Sequence, residues 1–262
     1  MSRATVLPHG GPASPPPASR LDPTEERETP DIETSSEGYA KRFADPVGAW
    51  FLRTQEQTVL RMLSPWPGAT ILEVGGGHGQ LTEALIRQGH RVVVLGSDRS
   101  CQRRIQPMVE RGQCRFVTGN LLALPYTSQA FDVVIGIRLL PHVRRWGALI
   151  TELSRVARHA VVVDYPTVRS LNCLTPAFFS AKRRLEGNTR PYTLFRDGEV
   201  VCALAGHSFR LKTRAPEFFL PMALHRALGR PSLSTGLERV CGALQLTRWL
   251  GSPVLALFTR QR

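Results

Sequence analysis

Residues Ile71 to Gln80 read ILEVGGGHGQ: an apolar run, one carboxylate at Glu73, and glycines at 75, 76, 77 and 79 within ten residues. Thr70 to Val74 has the β-branched, apolar character of a strand buried in a parallel sheet. Gln80 to Gln88 (QLTEALIRQ) places Leu81, Ala84 and Leu85 on one face of a helix. A glycine turn therefore joins strand to helix. Gly75, Gly77 and Gly79 permit backbone conformations that side chains forbid, and they leave a ligand room to lie against the main chain at a helix N-terminus. The stretch reads as a nucleotide-cofactor loop, with a plain tight turn as the structural alternative. A dinucleotide fingerprint G-x-G-x-x-G would need a third glycine where Gln80 stands, and the glycines instead run G-x-G-x-G. This disfavours a nicotinamide-dependent oxidoreductase.

The chain after the loop repeats the strand-helix alternation. Arg91 to Leu95 (RVVVL) is a second buried strand, and Asp98 follows it, 19 residues past Gly79. That is close to the spacing of about 20 at which an acidic residue meets ribose hydroxyls. A carboxylate suits the task because it accepts from two adjacent hydroxyls at once; a helix N-cap is the alternative role for the same residue. Ser100 to Arg111 reads as a helix, Gln113 to Val117 as a third strand, Ala130 to Ile135 as a fourth, Trp146 to Ala157 as a helix and Ala160 to Asp164 as a fifth strand. Repeated αβ units of this kind give a doubly wound, mostly parallel sheet covered on both faces. Ligands in such sheets bind outside the carboxyl ends of the strands, so His142, just past strand four, is the polar candidate nearest the reacting group. Its structural alternative is a histidine that pins its loop to neighbouring backbone.

The run E-V-G-G-G-H-G from Glu73, with Asp98 after the next strand, resembles motif I of the class I S-adenosylmethionine-dependent methyltransferases, nearest the small-molecule group called type 11. The resemblance runs from about Glu37 to Pro166 and more faintly beyond. It implies a Rossmann-like fold of seven strands, the last inserted antiparallel, with S-adenosylmethionine as cofactor. It also implies that Glu73, Gly75, Gly77, Gly79 and Asp98 bind the cofactor. Asn120, standing where the family usually has an acid, would with Leu121 meet the adenine, and Tyr39 would cap the site. An Asn carbonyl can accept from the adenine amino group, though without charge assistance. His142 falls on the acceptor side as the catalytic candidate. The acceptor implied is small or lipid-like; a nucleic acid ranks below it, because no N-P-P-Y-like tetrapeptide follows strand four, where IRLLPH stands. A methyltransferase-like protein that binds cofactor without turnover is the non-enzymatic alternative.

Composition sets the outer limits. The 262 residues, 42% hydrophobic and 21% charged, suffice for one well-buried domain with additions, and no apolar run approaches the roughly 18 to 20 residues needed to span a bilayer. Five scattered cysteines with no C-x-x-C pair give neither a disulfide framework nor a zinc site, which fits a reducing cytoplasm. Residues 1 to 38 hold three arginines against seven acids, leaving the remainder of the +13 chain at +17. Such a body can attract nucleic acid, anionic lipid or an acidic substrate, or simply expose solvated arginines. Residues 1 to 36, rich in Pro, Ser and acids, read as a disordered tail, with too many prolines for a targeting helix. The domain is then 37 to 262: a cofactor-binding core over 66 to 166, and a substrate-side, largely helical elaboration over 167 to 262. In that elaboration Asn172 to Leu185 reads as a helix inserted over the site, Phe218 to Leu228 and Leu233 to Leu250 as further helices, and His207 to Arg214 and Pro253 to Thr259 as strands. Phe218 to Met222 reads as core packing, with an apolar substrate pocket or a membrane contact as alternatives.

Overall fold

The computed structural model describes residues 27–170 and 192–261; the inserted helix expected over 172–185 lies outside them. Three helices come first among the described residues: α1 (Asp31–Thr34), α2 (Glu37–Lys41) and α3 (Pro46–Leu63). The starts of α2 and α3 follow from side-chain caps. Ser36 Oγ accepts the Tyr39 N–H at 3.1 Å and Asp45 Oδ1 accepts the Gly48 N–H at 2.7 Å, while Pro46 sits where a missing N–H costs nothing.

Seven strands follow: β1 (Thr70–Val74), β2 (Arg91–Gly96), β3 (Cys114–Thr118), β4 (Phe131–Gly136), β5 (Ala157–Tyr165), β6 (Phe209–Pro216) and β7 (Val254–Arg260), in the order β3-β2-β1-β4-β5-β7-β6. The first five pair in parallel, and β7 runs antiparallel to both β5 and β6, as the resemblance implied. Between and after them lie α4 (Gln80–Arg87), α5 (Gln106–Glu110), α6 (Trp146–Val156), α7 (Asp197–Ala205), α8 (Met222–Leu228), α9 (Pro231–Ala243) and α10 (Leu246–Leu250). Because successive strand residues point to opposite faces, Leu72, Val74, Val134 and Val161 bury with Leu149, Leu153 and Leu204 of α6 and α7. Ile71, Val92, Val133 and Val162 bury on the other side with Val59 and Leu63 of α3 and Leu81 and Leu85 of α4. Each such apolar side chain, fully buried, contributes on the order of 1.5–3 kcal/mol.

Three expectations are corrected. Order begins by Glu28 and not at Glu37: Glu28, Asp31, Thr34 and Ser35 are all buried. That segment is held by carboxylates accepting main-chain hydrogen bonds, which a count of apolar residues does not register. The helix expected over 100–111 is a 3₁₀ turn at Arg99–Gln102 and then the short α5, because Pro107 cannot donate to a preceding turn and sits at the start of a helix instead. The helix expected over 233–250 divides into α9 and α10 at Gln245, whose φ is +62°.

Candidate functional site

The glycine loop forms as its composition demands. Gly75 has φ +73° and Gly79, at the head of α4, has φ +85°, conformations that favour glycine. A Cβ on Gly76 would collide with the Glu73 side chain, and one on Gly77 with Ser35 Oγ and the Cys101 carbonyl. Glu73 itself is buried beneath the loop and accepts the Thr82 hydroxyl at 2.6 Å; burial pushes its carboxyl up to about 7. His78, within the loop, stands edge-on to Tyr39 (5.9 Å) and Phe43 (6.2 Å). Both its ring nitrogens are buried without a partner among the described residues. Burial, with the charges of Arg138 and Arg104, lowers its pKa to about 3, so it is neutral.

Across the carboxyl edge of the sheet runs a strap, residues 28–35. Glu28 accepts the Arg144 and Arg145 N–H groups at 2.6 and 3.0 Å, ahead of α6. Asp31, fully buried, accepts the Ser97 N–H at 2.7 Å, the Ser97 hydroxyl, and the Cys101 thiol at 3.4 Å. Burial and the Asp31 charge push that thiol up to about 11. Ser35 closes over Gly77, and the Asp31 side chain over Gly75. Arg104 fastens the adjoining segment, reaching the Glu37 carboxylate at 2.8 Å and the His78 carbonyl at 3.1 Å.

The residues expected to bind a cofactor are thus gathered on one edge, but several are engaged locally. Asp98 is exposed and accepts the Ser100 N–H at 2.7 Å, capping the 3₁₀ turn; bonds from Ser100 lower its pKa. Asn120 Oδ1 accepts the Leu122 N–H at 3.0 Å, and Leu121 is fully buried. Tyr39 is half-buried, with its hydroxyl pKa raised by burial, and the Arg42 guanidinium lies 5.3 Å from its ring. In kind these groups fit an adenosyl cofactor: a glycine cradle without side chains of its own, a ring with two nitrogens unpartnered among the described residues, and an acid and an amide beyond β2 and β3. The space against the cradle is taken by Asp31 and Ser35, so the strap must shift for a ligand to reach it.

Beside this edge opens a cavity of about 270 Å³. Tyr39, Phe43, Phe51, Phe218 and Met222 make its apolar wall. Its polar side is Gln55, Arg138, His142, Asp164 and Glu217. Asp164, at the end of β5, accepts the Arg138 N–H at 2.6 Å and Gln55 Nε2 at 3.3 Å. Burial raises its pKa to about 6. Burial, and then the Asp164 charge, raises that of Glu217 well above the usual range, and Glu217 Oε1 is sealed from solvent without a partner among the described residues. Arg138 reaches the cavity from a strained backbone, φ +57°, with Nη1 similarly unpartnered and its guanidinium 5.7 Å from the Phe43 ring. His142 lines the cavity from a 3₁₀ turn, Leu140–His142. Asp31, Ser35, Arg138, Asp164 and Glu217 were missed by sequence reasoning. Asp164 alone carried a signal, as the acid at the carboxyl end of a parallel strand.

A doubly wound sheet with a glycine cradle between its first strand and α4, and a partly open cavity beside it, defines a nucleotide-cofactor fold. Comparison with known proteins narrows this. Residues 71–160 match the family described as a methyltransferase domain. An O-methyltransferase of Pyrenophora dematioidea is 30% identical over 129 residues, 46% of this chain and 48% of that protein, so the match spans about half the length of that relative. A ubiquinone biosynthesis O-methyltransferase of Mesorhizobium japonicum is 26% identical over 62% of this chain and 68% of that protein. Among solved structures, magnesium protoporphyrin IX methyltransferase from Synechocystis, with SAH bound, superposes with a TM-score of 0.61 at 16% identity, covering 87% of this chain and 96% of that one. Over residues 71–160, therefore, the chain matches a methyltransferase domain, and its fold is that of methyltransferases; S-adenosylmethionine is the cofactor this supports. This sets aside the nicotinamide-dependent reading.

Proposed function

We propose that this protein transfers a methyl group from S-adenosylmethionine to a hydroxyl of a neutral, small, ring-bearing acceptor. The observation that carries this reading is the cavity of about 270 Å³, whose lining brings the carboxyls of Glu217 and Asp164 together with the aromatic rings of Tyr39, Phe43, Phe51 and Phe218. The glycine loop backbone, Asp98, Asn120 and Leu121 would hold the cofactor, with Tyr39 and His78 at its flank. When bound, the cofactor supplies a methyl already activated on a sulfonium. The protein's own share is then placement, which can contribute roughly 7–11 kcal/mol, and removal of the acceptor proton.

Phe51, Phe218 and Phe43 hold the acceptor ring. With the cofactor bound to supply the methyl and to keep the electron pair of the broken carbon–sulfur bond, Glu217 would take the proton that the acceptor hydroxyl gives up. Burial, and then the charge of Asp164, which Arg138 and Gln55 hold in place, raise the basicity of the Glu217 carboxyl toward that task. His142 lines the same cavity and is the alternative base. Two carboxyls, Asp164 and Glu217, against one guanidinium, Arg138, in the lining disfavour anionic acceptors.

The test is release of S-adenosylhomocysteine with the neutral phenols catechol and 4-methylcatechol as probe acceptors, on wild type, E217Q and H142A. A base contributes about 10²- to 10⁴-fold, so E217Q should lose at least 10²-fold in kcat while its affinity for S-adenosylhomocysteine is unchanged. If H142A shows that loss and E217Q does not, the base is His142. The filled cradle favours a second reading, a methyltransferase-like protein held shut; titration with S-adenosylhomocysteine alone decides, since such a protein takes up none.

A further inference from the structure

Helix α9 presents an apolar stripe to solvent. Leu233, Leu237 and Val240, with Leu244 just past its end, recur at spacings of four, three and four, one face of a helix, and are 49, 40, 58 and 65% exposed. Trp249 on α10 is 60% exposed beside them in sequence and stacks under Arg248, 5.8 Å from the guanidinium carbon. Large apolar residues singly exposed are ordinary, but a row of four along one helix is not explained by the fold it belongs to.

The charge around the stripe is one-signed. Residues 221–250 contain four arginines and a single acid, Glu238. Glu238 points inward: it accepts the Phe219 and Leu220 N–H groups at 3.0 and 2.9 Å and meets His225 Nε2 at 3.0 Å. Arg226 is turned to the body, bonding the Arg42 carbonyl and approaching Asp45 at 3.8 Å. Arg230, Arg239 and Arg248 are exposed, and no ion pair among the described residues engages them. Apolar side chains and a tryptophan bordered by unneutralised arginines match the boundary of an anionic lipid surface, where the rings and Leu side chains enter the headgroup region and the cations meet phosphate.

We infer that the α9–α10 face docks this protein on anionic membrane surfaces. A second copy of the chain fits less well, since pairing this face with itself would oppose three arginines to three arginines. Helix α9 packs against α3 and α8, and α8 begins with Met222, which lines the acceptor cavity. Docking would therefore bring the cavity near the lipid boundary, yet the inference does not depend on the reaction.

The full chain is sedimented with vesicles of two parts phosphatidylcholine to one part phosphatidylglycerol, and with pure phosphatidylcholine vesicles. Wild type should bind the mixed vesicles, lose binding as salt is raised, and leave pure phosphatidylcholine in the supernatant. V240D/L244D and R230E/R239E/R248E each change exposed positions, so they should keep the wild-type melting temperature and bind on the order of tenfold or more weakly. The inference is overturned if wild type ignores the mixed vesicles. It is equally overturned if both variants sediment like wild type, which would assign binding to the basic body at large. If wild type is dimeric by analytical ultracentrifugation and V240D/L244D is monomeric, the face is an interface between copies and the membrane assignment falls.

Discussion

Replacing Asp31 by Ala separates a strap that competes with the cofactor from one that helps to hold it. Asp31 accepts from both the Ser97 N–H and the Ser97 hydroxyl in a fully buried setting. Hydrogen bonds to a charged group contribute roughly 1.5–3 kcal/mol each, so loss of both weakens strap docking by about 3 kcal/mol at the low end. At about 1.4 kcal/mol per tenfold, the ratio of open to docked strap rises roughly 150-fold. When ligand binds only the open form, apparent affinity is the intrinsic affinity scaled by the open fraction. D31A should therefore bind S-adenosylhomocysteine more tightly by isothermal titration, by about 150-fold at that low-end value where the strap is mostly docked in the wild type, while melting several degrees lower without ligand. Glu28→Ala, which frees the Arg144 and Arg145 N–H groups, should act in the same direction. A D31A protein that melts lower and binds S-adenosylhomocysteine more weakly than wild type would refute the competition and place Asp31 among the cofactor's partners.

D98A should weaken S-adenosylhomocysteine binding at least tenfold, whereas an unchanged dissociation constant in a folded protein would leave Asp98 as the cap of the 3₁₀ turn alone. Glu73 gives a stability prediction with a definite sign. Its carboxyl is raised from 4.5 to about 7, so the folded state holds a proton that the unfolded chain has released; the contribution is complete below pH 4.5 and fades as pH rises through 7. E73Q should accordingly melt higher than wild type at pH 8 and not at pH 4.5, and identical shifts at both would sink the argument. In turnover, wild type should gain rate as pH rises past the raised pKa of Glu217, while E217Q should show a flat profile; retention of the rise in E217Q would move the titration to another group.

The parallel half of the fold was legible because its signals are local. Glycines at 75, 77 and 79 mark one turn, and the apolar runs of β1, β2 and β4 bury on both faces, so the boundaries of β1 to β4, α4 and α6 fall within a residue or two of those read from sequence, while β5 begins three residues early, at Ala157. The strap was not legible, since Glu28 and Asp31 dock by accepting main-chain N–H groups distant in sequence, and acids in such a stretch look like those of a solvated tail. The cavity's chemistry was hidden for a related reason. Asp164 and Glu217 stand more than fifty residues apart, and Glu217 is fixed by donating its N–H to the Pro253 carbonyl at 2.9 Å, a contact made by the segment leading into β7. Nor does any residue type announce that Arg138 will adopt φ +57° and present its N–H to Asp164.

The position of β7 between β5 and β6 also orders the folding of the chain. Among the described residues strand β6 pairs with β7 alone, so until β7 threads into place β5 presents an open edge and β6 lacks its sheet partner. Strands β1 to β5 can assemble first, each joined to the sheet by a short crossover, whereas the last insertion closes contacts across almost a hundred residues, from Tyr165 to Val254. An unpaired central edge is a template for other chains. Aggregation during refolding should therefore track the lifetime of the species that lacks β7, and amide exchange should show β1 and β4 protected before β5 and β6.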